Sequence, residues 1–378
     1  MNLPTNNVIL PPQTIGIIGG GQLGRMMALA ARHMGYQIAV LDPTLNCPTA
    51  QVADMQITAQ YDDLNAIQRL IEASDVITYE FENVDLEAAA LIEKSGKLPQ
   101  GALALEITQN REKEKALFQK LSLPIPAFEI VHTAEECEEV LKAFPLPAVM
   151  KTCRGGYDGK GQVKLDTEAD FAEAKVLADA ASPCIIEQWI PFEKEISTVF
   201  TRSVDGKVEF FPIGENDHRE QILYQTTVPA KITDKVKEKA YAAATRLAER
   251  MEIVGTFTVE MFVKGDEVYL NEMAPRPHNS GHYTIEACNI SQFAQHVRAI
   301  CGLELTPVTL FEPSVMVNIL GEDLPGTLQA IPQMTKAFVH LYGKDEAKPK
   351  RKMGHVTFVA PTVEKVRKLV EAYHEKSK

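Results

Sequence analysis

Residues 147 to 165 read PAVMKTCRGGYDGKGQVKL, and this stretch decides the fold. Pro147 to Lys151 has the composition of a strand that ends in a lysine. Gln162 to Leu165 reads as the returning strand, with Gly155, Gly156, Gly159 and Gly161 between them. Such a loop predicts a mobile flap whose backbone amides can close over phosphate oxygens, while an ammonium at the strand end reaches the same oxygens. The GK[ST] of a Walker A loop is absent. Taken alone, the loop is equally well read as a surface hairpin with a tolerant turn, so its flanks have to settle the matter.

Upstream, Thr14 to Ile18 is β-rich and runs into Gly19-Gly20-Gly21-Gln22-Leu23-Gly24. Apolar residues then fall at Leu23, Met26, Met27, Ala30, Ala31 and Met34, which predicts an amphipathic helix. A second strand, Ile38 to Leu41, ends at Asp42, and a third, Val76 to Tyr79, ends in Glu80-Phe81-Glu82. Strand, glycine turn, helix, strand is the start of a doubly wound α/β domain. GGGQLG matches GxGxxG, and Asp42 stands 18 residues after Gly24, near the acidic position of a dinucleotide site. Any tight strand-to-helix turn favours glycine, and any helix N-terminus attracts an anion, so we read an anion-binding turn of unassigned ligand.

This unit closes near Lys97 to Gln100. Next come a helix from about Arg111 to Leu121, a strand Phe128 to Val131, and a helix opened by Thr133 and Glu136 as a capping box. After the glycine loop, Thr167 and Asp170 start another helix, and Cys184 to Glu187 is a strand leading out of the small unit. Longer hairpins come next. Ile196 to Arg202 and Val208 to Phe211 flank Asp205-Gly206; a helix covers Thr233 to Met251; Thr256 to Val263 and Val268 to Met273 flank Lys264-Gly265-Asp266. Short strands lie beyond Pro307, and a terminal helix starts near Val363.

In a symmetric hairpin the numbers of paired residues have a constant sum. A three-residue turn at 265 to 267 gives 532 and sets Glu260 opposite Glu272; a two-residue turn gives 531 and sends them to opposite faces. Like charges facing each other are destabilising unless they share a hard cation, and magnesium carrying nucleotide phosphates is the common case. The stretch from Asn271 onward reads Asn271-Glu272-Met273-Ala274-Pro275-Arg276-Pro277-His278-Asn279-Ser280-Gly281-His282, and the two histidines and arginine of its Pro-rich loop, straight after Glu272, suit a site lining. His218, in Glu215-Asn216-Asp217-His218-Arg219, fits a site or an exposed loop.

The 378 residues predict two or three domains, and 45% hydrophobic with 24% charged residues is an ordinary globular balance. Lys plus Arg number 39 against 51 Asp plus Glu, and the resulting charge of -12 argues against a nucleic-acid partner. Six cysteines stand singly, without the CxxC pairs of a zinc or redox site. No apolar run is long enough for a membrane span, and Met1 to Pro12 lack a signal-peptide pattern, so a cytoplasmic protein without membrane partners is expected. Residues 343 to 352 reverse the overall sign: Lys344, Lys348, Lys350, Arg351 and Lys352 oppose Asp345 and Glu346. This run reads either as a solvated loop or as a seat for a dianionic phosphate.

The strand lysine, the glycine flap, Glu187-Gln188-Trp189-Ile190 and the paired glutamates before Pro275-Arg276-Pro277 together resemble the ATP-grasp ligases. RGGYDGKGQ, GENDHR, NEMAPRPHNSGHYT and RKMGH are similar, more narrowly, to the 5-(carboxyamino)imidazole ribonucleotide synthases of purine biosynthesis, from about residue 14 to 360. The resemblance implies three domains: a Rossmann-like unit over 1–110, an α+β flap unit over 111–190 and an α+β catalytic unit over 191–378. It implies an enzyme that carboxylates 5-aminoimidazole ribonucleotide with bicarbonate through carboxyphosphate, using ATP and magnesium, in a homodimer.

By the same resemblance, ATP contacts fall on Arg111, Lys151, Gly156, Tyr157, Asp158, Gly159, Lys160, Gly161, Gln162, Glu187, Gln188, Trp189, Ile190, Glu195, His218, Asn271 and Glu272. Glu187 to Ile190 would offer backbone groups to adenine, and Glu195 would accept ribose hydroxyls. The bicarbonate and imidazole pocket draws on Glu82, Tyr157, Asp158, Lys160 and Arg276. The ribonucleotide falls to Gly21, Gln22, Leu23, Asp158, Lys344, Arg351 and Lys352, and magnesium to Glu260 and Glu272. Many ATP-grasp enzymes carry Asn two residues after the second metal glutamate; here that residue is Ala274. A nicotinamide oxidoreductase, an inert nucleotide-binding regulator and a ligase for another ribonucleotide or carboxylate are the rival readings, and phosphate release with and without each substrate separates them.

Overall fold

In the computed structural model, which describes residues 8–156 and 161–377, the isoleucines of Thr14–Ile18 are buried in β1, an inner strand of a parallel sheet. β2 (Gln37–Leu41), β3 (Met55–Ile57) and β4 (Val76–Tyr79) complete the sheet in the order β3-β2-β1-β4. Val76–Tyr79 is therefore the fourth strand and not the third. The intervening strand is three residues long at the sheet edge, too short to show an alternation in sequence. Helix α1 (Gln22–His33) packs Leu23, Met26, Met27 and Ala31 against Ile15 and Ile17.

The glycine turn before α1 is met by the chain's own carboxylates. Gly20 N–H donates to Asp42 Oδ2 at 2.7 Å, Gly24 N–H to Glu80 Oε2 at 2.7 Å, and Gly21 N–H to Glu80 Oε1. Tyr61 donates its hydroxyl to Asp42 Oδ2 at 2.6 Å. The donors that would cradle a pyrophosphate in a dinucleotide fold are thus engaged internally. Burial, more than any neighbour, raises the Glu80 carboxyl above its ordinary range.

The second sheet is antiparallel: β5 (Phe128–Val131), β6 (Ala148–Thr152), β7 (Gln162–Leu165) and β8 (Cys184–Gln188), in the order β5-β8-β6-β7. β6 and β7 flank the glycine loop, in which Tyr157, Asp158, Gly159 and Lys160 lie outside the described residues. Thr133 caps its helix by accepting from Glu136 N–H at 3.1 Å. The Glu136 carboxylate, however, takes the N–H of His132 at 2.7 Å instead of that of Thr133, so the expected capping box is only half made. At Thr167 the reciprocal pair with Asp170 is complete, and it opens a short 3₁₀ turn ahead of the helix Phe171–Ala181.

The third sheet gathers β9 (Lys194–Arg202), β10 (Val208–Phe210), β11 (Gly214–Arg219), β12 (Ile222–Val228), β13 (Gly255–Lys264), β14 (Glu267–Ala274), β15 (Ser314–Leu320), β16 (Ala337–Leu341) and β17 (Lys352–Val359). Its order is β14-β13-β9-β11-β12-β15-β17-β16, with β10 on β9. The helix Asp234–Met251 covers one end, packing Ala240, Ala244 and Leu247 with Phe257, Val259 and Met261. One sheet therefore carries both the glutamate hairpin and, through β17, the end of the basic segment.

The hairpin corrects the expected turn. Lys264 pairs with Glu267, so the turn is the two residues Gly265-Asp266, with Gly265 at φ +57°, where glycine is favoured. That register alone would put the glutamates on opposite faces. A bulge between Met261–Leu270 and Glu260–Glu272 inserts Asn271 and restores the pairing of Glu260 with Glu272.

Side-chain ties hold the first sheet against this region. Thr78 Oγ1 lies 2.9 Å from His296 Nε2, and Gln100, hydrogen-bonded to Thr78, donates to the Pro275 carbonyl at 2.9 Å. These bonds bring the end of β4 to the loop after β14. A Cβ at Gly24 would meet the Gly19 carbonyl at 2.7 Å and Thr49 Oγ1 at 2.5 Å. Because the first of these is backbone and cannot swing away, Gly24→Ala should lower unfolding stability by about 1–3 kcal/mol, read from urea denaturation.

Candidate active site

Where the three sheets meet there is a cavity of about 700 Å³. The N-terminus of α1 contributes Gln22 and Leu23 to its wall, the loop after β4 contributes Glu82, and the helix Arg111–Lys120 contributes Arg111 and Glu114. The second sheet and the segment that leaves β8 contribute Lys151, Gly156, Gly161, Gln162 and Glu187 to Ile190. The third sheet adds Glu195, His218, Glu260, Asn271, Glu272, Arg276, His278 and Lys352. Residues scattered over more than 300 positions of sequence thus share one space. Gly21, Lys344 and Arg351 are not among the lining residues.

Glu187 is the electrostatic centre of one end. Its carboxylate lies between Lys115 Nζ and Lys151 Nζ, 2.7 Å from each. Burial by itself would raise its pKa, but the two ammonium groups outweigh that cost and hold it well below the ordinary range. Its side chain thereby orders the lysine near the end of β6. Gln188 N–H and Trp189 N–H donate to the Ala127 and Pro147 carbonyls at 2.8 and 3.0 Å, so these two donors are engaged in the sheet. Around them Pro126, Val149, Trp189, Ile190, Phe192, Met261 and Phe262 make an apolar wall suited to a flat ring, with Phe192 stacked on Phe262 at 4.6 Å.

Beside this centre stand the facing glutamates. Arg111 Nη1 reaches Glu272 Oε2 at 3.1 Å, and His278 Nε2 lies 3.6 Å from Glu260 Oε1. Burial and the charge of Glu272 raise the Glu260 carboxyl, whereas Arg111 and Lys151 overcome burial to lower that of Glu272. A partly exposed carboxylate pair at the cavity wall, with one member pushed toward its neutral form, is the donor set a hard dication would stabilise. Glu260 and Glu272 fit magnesium in this sense. Among the described residues no group of three or more His, Cys, Asp or Glu side chains assembles, so further ligands would come from phosphate oxygens and water.

His218 Nδ1 is bonded to Glu195 Oε2. Burial lowers the imidazole's pKa, yet this bond and the charges of Glu195 and Glu260 reverse the direction and raise it. Glu195, expected to accept ribose hydroxyls, thus already holds an imidazole. At the opposite end, Arg276 Nη2 is bridged to Glu82 Oε1 at 2.6 Å. His278 is driven well below its ordinary value by burial first and Arg276 second, which keeps it neutral.

The basic segment divides in two. Lys348 pairs with Glu346 and Lys350 with Glu220. Arg351 donates to the Glu346 carbonyl at 2.9 Å, and Lys344 to the Lys352 carbonyl at 2.7 Å. Burial, then the nearby Arg351, lowers Lys344 to about 8.

Sequence reasoning missed Lys115, Glu114 and Glu80. In Arg111-Glu112-Lys113-Glu114-Lys115 the alternating charges do not by themselves say which side is buried. The available signal was spacing: Arg111, Glu114 and Lys115 at i, i+3 and i+4 lie on one side of a helix. Glu114 is buried enough that its carboxyl rises to about 7 despite Lys115 and Arg111.

Comparison with known proteins places this geometry. A ribonucleotide synthetase preATP-grasp domain matches residues 12–109, an ATP-grasp domain 116–293, and a phosphoribosylaminoimidazole carboxylase C-terminal domain 314–369. The N5-carboxyaminoimidazole ribonucleotide synthase of Bacillus subtilis (strain 168) is 47% identical over 357 residues, 94% of this chain and 93% of the relative. An ADP complex of an N5-carboxyaminoimidazole ribonucleotide synthetase superposes with a TM-score of 0.95 at 53% identity, covering 99% of this chain and 100% of that one. The Aspergillus clavatus synthase in complex with ADP and 5-aminoimidazole ribonucleotide gives 0.89 at 31% identity, covering 97% and 98%.

The Glu195–His218 pair sets a direct test. In Glu195→Gln the burial effect on His218 is no longer opposed by that carboxylate, so the imidazole pKa should fall relative to the wild type. Histidine ring resonances followed by NMR against pH report this; an unmoved pKa would deny that Glu195 holds the proton.

Proposed function

We propose that this chain, which belongs to the N5-carboxyaminoimidazole ribonucleotide synthase family, does its chemistry in the cavity where its three sheets meet. It is an ATP-grasp ligase that carboxylates 5-aminoimidazole ribonucleotide with bicarbonate, converting ATP to ADP and phosphate in purine biosynthesis. The observation that carries the assignment of the site is the pairing of Glu260 with Glu272 beside Lys151 and Arg111. We take 1–110, 111–190 and 191–378 as its three domains, and a cytoplasmic homodimer without nucleic-acid or membrane partners as its working form.

Bicarbonate is a poor electrophile. One of its oxygens attacks the γ-phosphorus of ATP, ADP leaves, and carboxyphosphate forms. Lys151, oriented by Glu187, meets the charge that develops on the transferred phosphoryl group, and Arg111 stands alongside. Glu260 and Glu272 would hold magnesium, which when bound supplies neutralisation of the phosphate charge. Gly156, Gly161 and Gln162, at the two ends of the glycine loop, line the cavity on the phosphate side, where water has to be kept from the labile intermediate. The apolar wall from Trp189 to Phe262 receives adenine, and His218 with Glu195 lies toward its ribose. Arg276, held by Glu82 at 2.6 Å, orients the carboxyl group in transfer. The amine of the imidazole then bonds to the carboxyl carbon, phosphate departs and the amine gives up a proton. Gly21, Gln22 and Leu23 with Lys344, Arg351 and Lys352 receive the ribonucleotide, the cationic side chains serving its 5′-phosphate.

Phosphate release from ATP should require bicarbonate and 5-aminoimidazole ribonucleotide together, and Glu272→Gln should abolish it while circular dichroism reports a folded chain. Full turnover by Glu272→Gln at ordinary magnesium would remove the pair from the metal site. A second outcome concerns Lys344, whose pKa of about 8 is depressed from the ordinary 10.5. Between these values the free protein holds this side chain largely neutral, whereas a dianionic phosphate favours its charged form. Binding of the ribonucleotide at pH 8 should therefore take up protons, and its affinity should fall as pH rises above 8. Calorimetry in buffers of different ionisation enthalpy measures the uptake, and Lys344→Met should remove it.

A further inference from the structure

β14 is the edge strand of the third sheet, and the bulge at Asn271 interrupts its ladder on the inner side. An edge strand with an extra residue has little to stop its register from slipping, and a slip of one residue carries a side chain to the other face. Here the outer edge is held by one face of the helix Arg111–Lys120 over three consecutive residues. Lys115 Nζ donates to the Asn271 carbonyl at 2.9 Å, Arg111 Nη1 to Glu272 Oε2 at 3.1 Å, and Met273 N–H donates to Glu114 Oε1 at 2.9 Å. Just past the helix, the Pro124 carbonyl accepts from Leu270 N–H at 2.8 Å. Every residue from 270 to 273 is thereby held by the helix or the segment beyond it. Lys115 is fully buried and Glu114 nearly so, and the same Lys115 ammonium also bonds Glu187, the partner of Lys151.

From this juxtaposition we propose that Glu114 and Lys115 are positioning residues: they lock the Asn271 bulge, and so keep Glu272 opposite Glu260 and Glu187 beside Lys151. Glu114 acts on the backbone, as acceptor for the residue after Glu272. Lys115 joins the bulge to the lysine of β6, so that the two halves of the phosphate end share one buried cation. A general demand for helix packing does not account for a buried carboxylate and a buried ammonium used in this way, since apolar residues of similar size would pack at lower desolvation cost. The proposal rests on the reading of Glu260 and Glu272 as the magnesium pair, and the test separates the two.

Affinity for ADP is measured by calorimetry with magnesium and again with excess chelator, on folded protein verified by circular dichroism and thermal melting. In the wild type magnesium should strengthen binding. In Glu114→Leu and in Lys115→Met the magnesium-dependent gain should fall roughly 10–100-fold while chelated ADP binds within about threefold of wild type, and Glu114→Gln, which keeps an acceptor for Met273, should stay within about threefold in both conditions. Either folded variant decides if the other does not fold. Retention of the full magnesium-dependent gain, or an equal loss for chelated ADP, would overturn the positioning role while leaving the magnesium pair in place. Absence of any magnesium effect in the wild type would overturn the pair itself, and the proposal with it.

Discussion

Two carboxylates facing each other across neighbouring strands repel, and the cavity of this protein is arranged around that repulsion. Glu260 and Glu272 are brought together by a bulge in an edge strand, a local feature with no stability of its own to offer. The counter-charges come from elsewhere in the chain: Arg111 from a helix that precedes the second sheet, Lys151 from β6, and Lys115 behind both. Because these cations have Glu187 and Glu272 as partners, the cluster is mutually supporting. Loss of Glu187 would leave the fully buried Lys115 without a carboxylate partner.

The same economy of charge operates at the first sheet. A glycine turn feeding a helix is a general anion seat, and here Glu80 and Asp42 meet its N–H groups. This is the physical difference between the N-terminal sheet and a dinucleotide-binding domain with the same opening motif. It also brings β4's end toward the main cavity, where Glu82 holds Arg276. The glycine turn and the arginine loop are thus linked through two carboxylates that stand just past one strand.

The nine-stranded sheet is the means by which distant sequence becomes one site. β14 and β17 lie six places apart in its order, yet Glu272 on one and Lys352 on the other line the same cavity. Within the basic segment, the fold also separates residues by role. Lys348 and Lys350 pair with exposed glutamates, whereas burial depresses Lys344, and its ammonium bonds the backbone of Lys352.

Local pattern was enough to read the strands Thr14–Ile18, Phe128–Val131 and Gln162–Leu165, the long helix ending at Met251 and the glycine loop. Alternation, capping residues and glycine act over a few neighbours. Long motifs in order were enough to identify the family. The pairing of Glu260 with Glu272 was also legible, though through a three-residue turn that does not form; a two-residue turn and a bulge give the same result, and nothing in the local sequence distinguishes those routes. What tertiary structure alone decided is which charges are buried and with whom. No local pattern marks Lys115 and Glu114 as buried, and nothing around Glu187, assigned to ATP by resemblance, shows that its side chain holds two lysines. Their roles arise because a partner more than 70 residues away excludes water from each, and burial, unlike helical or strand spacing, is a property of the assembled fold.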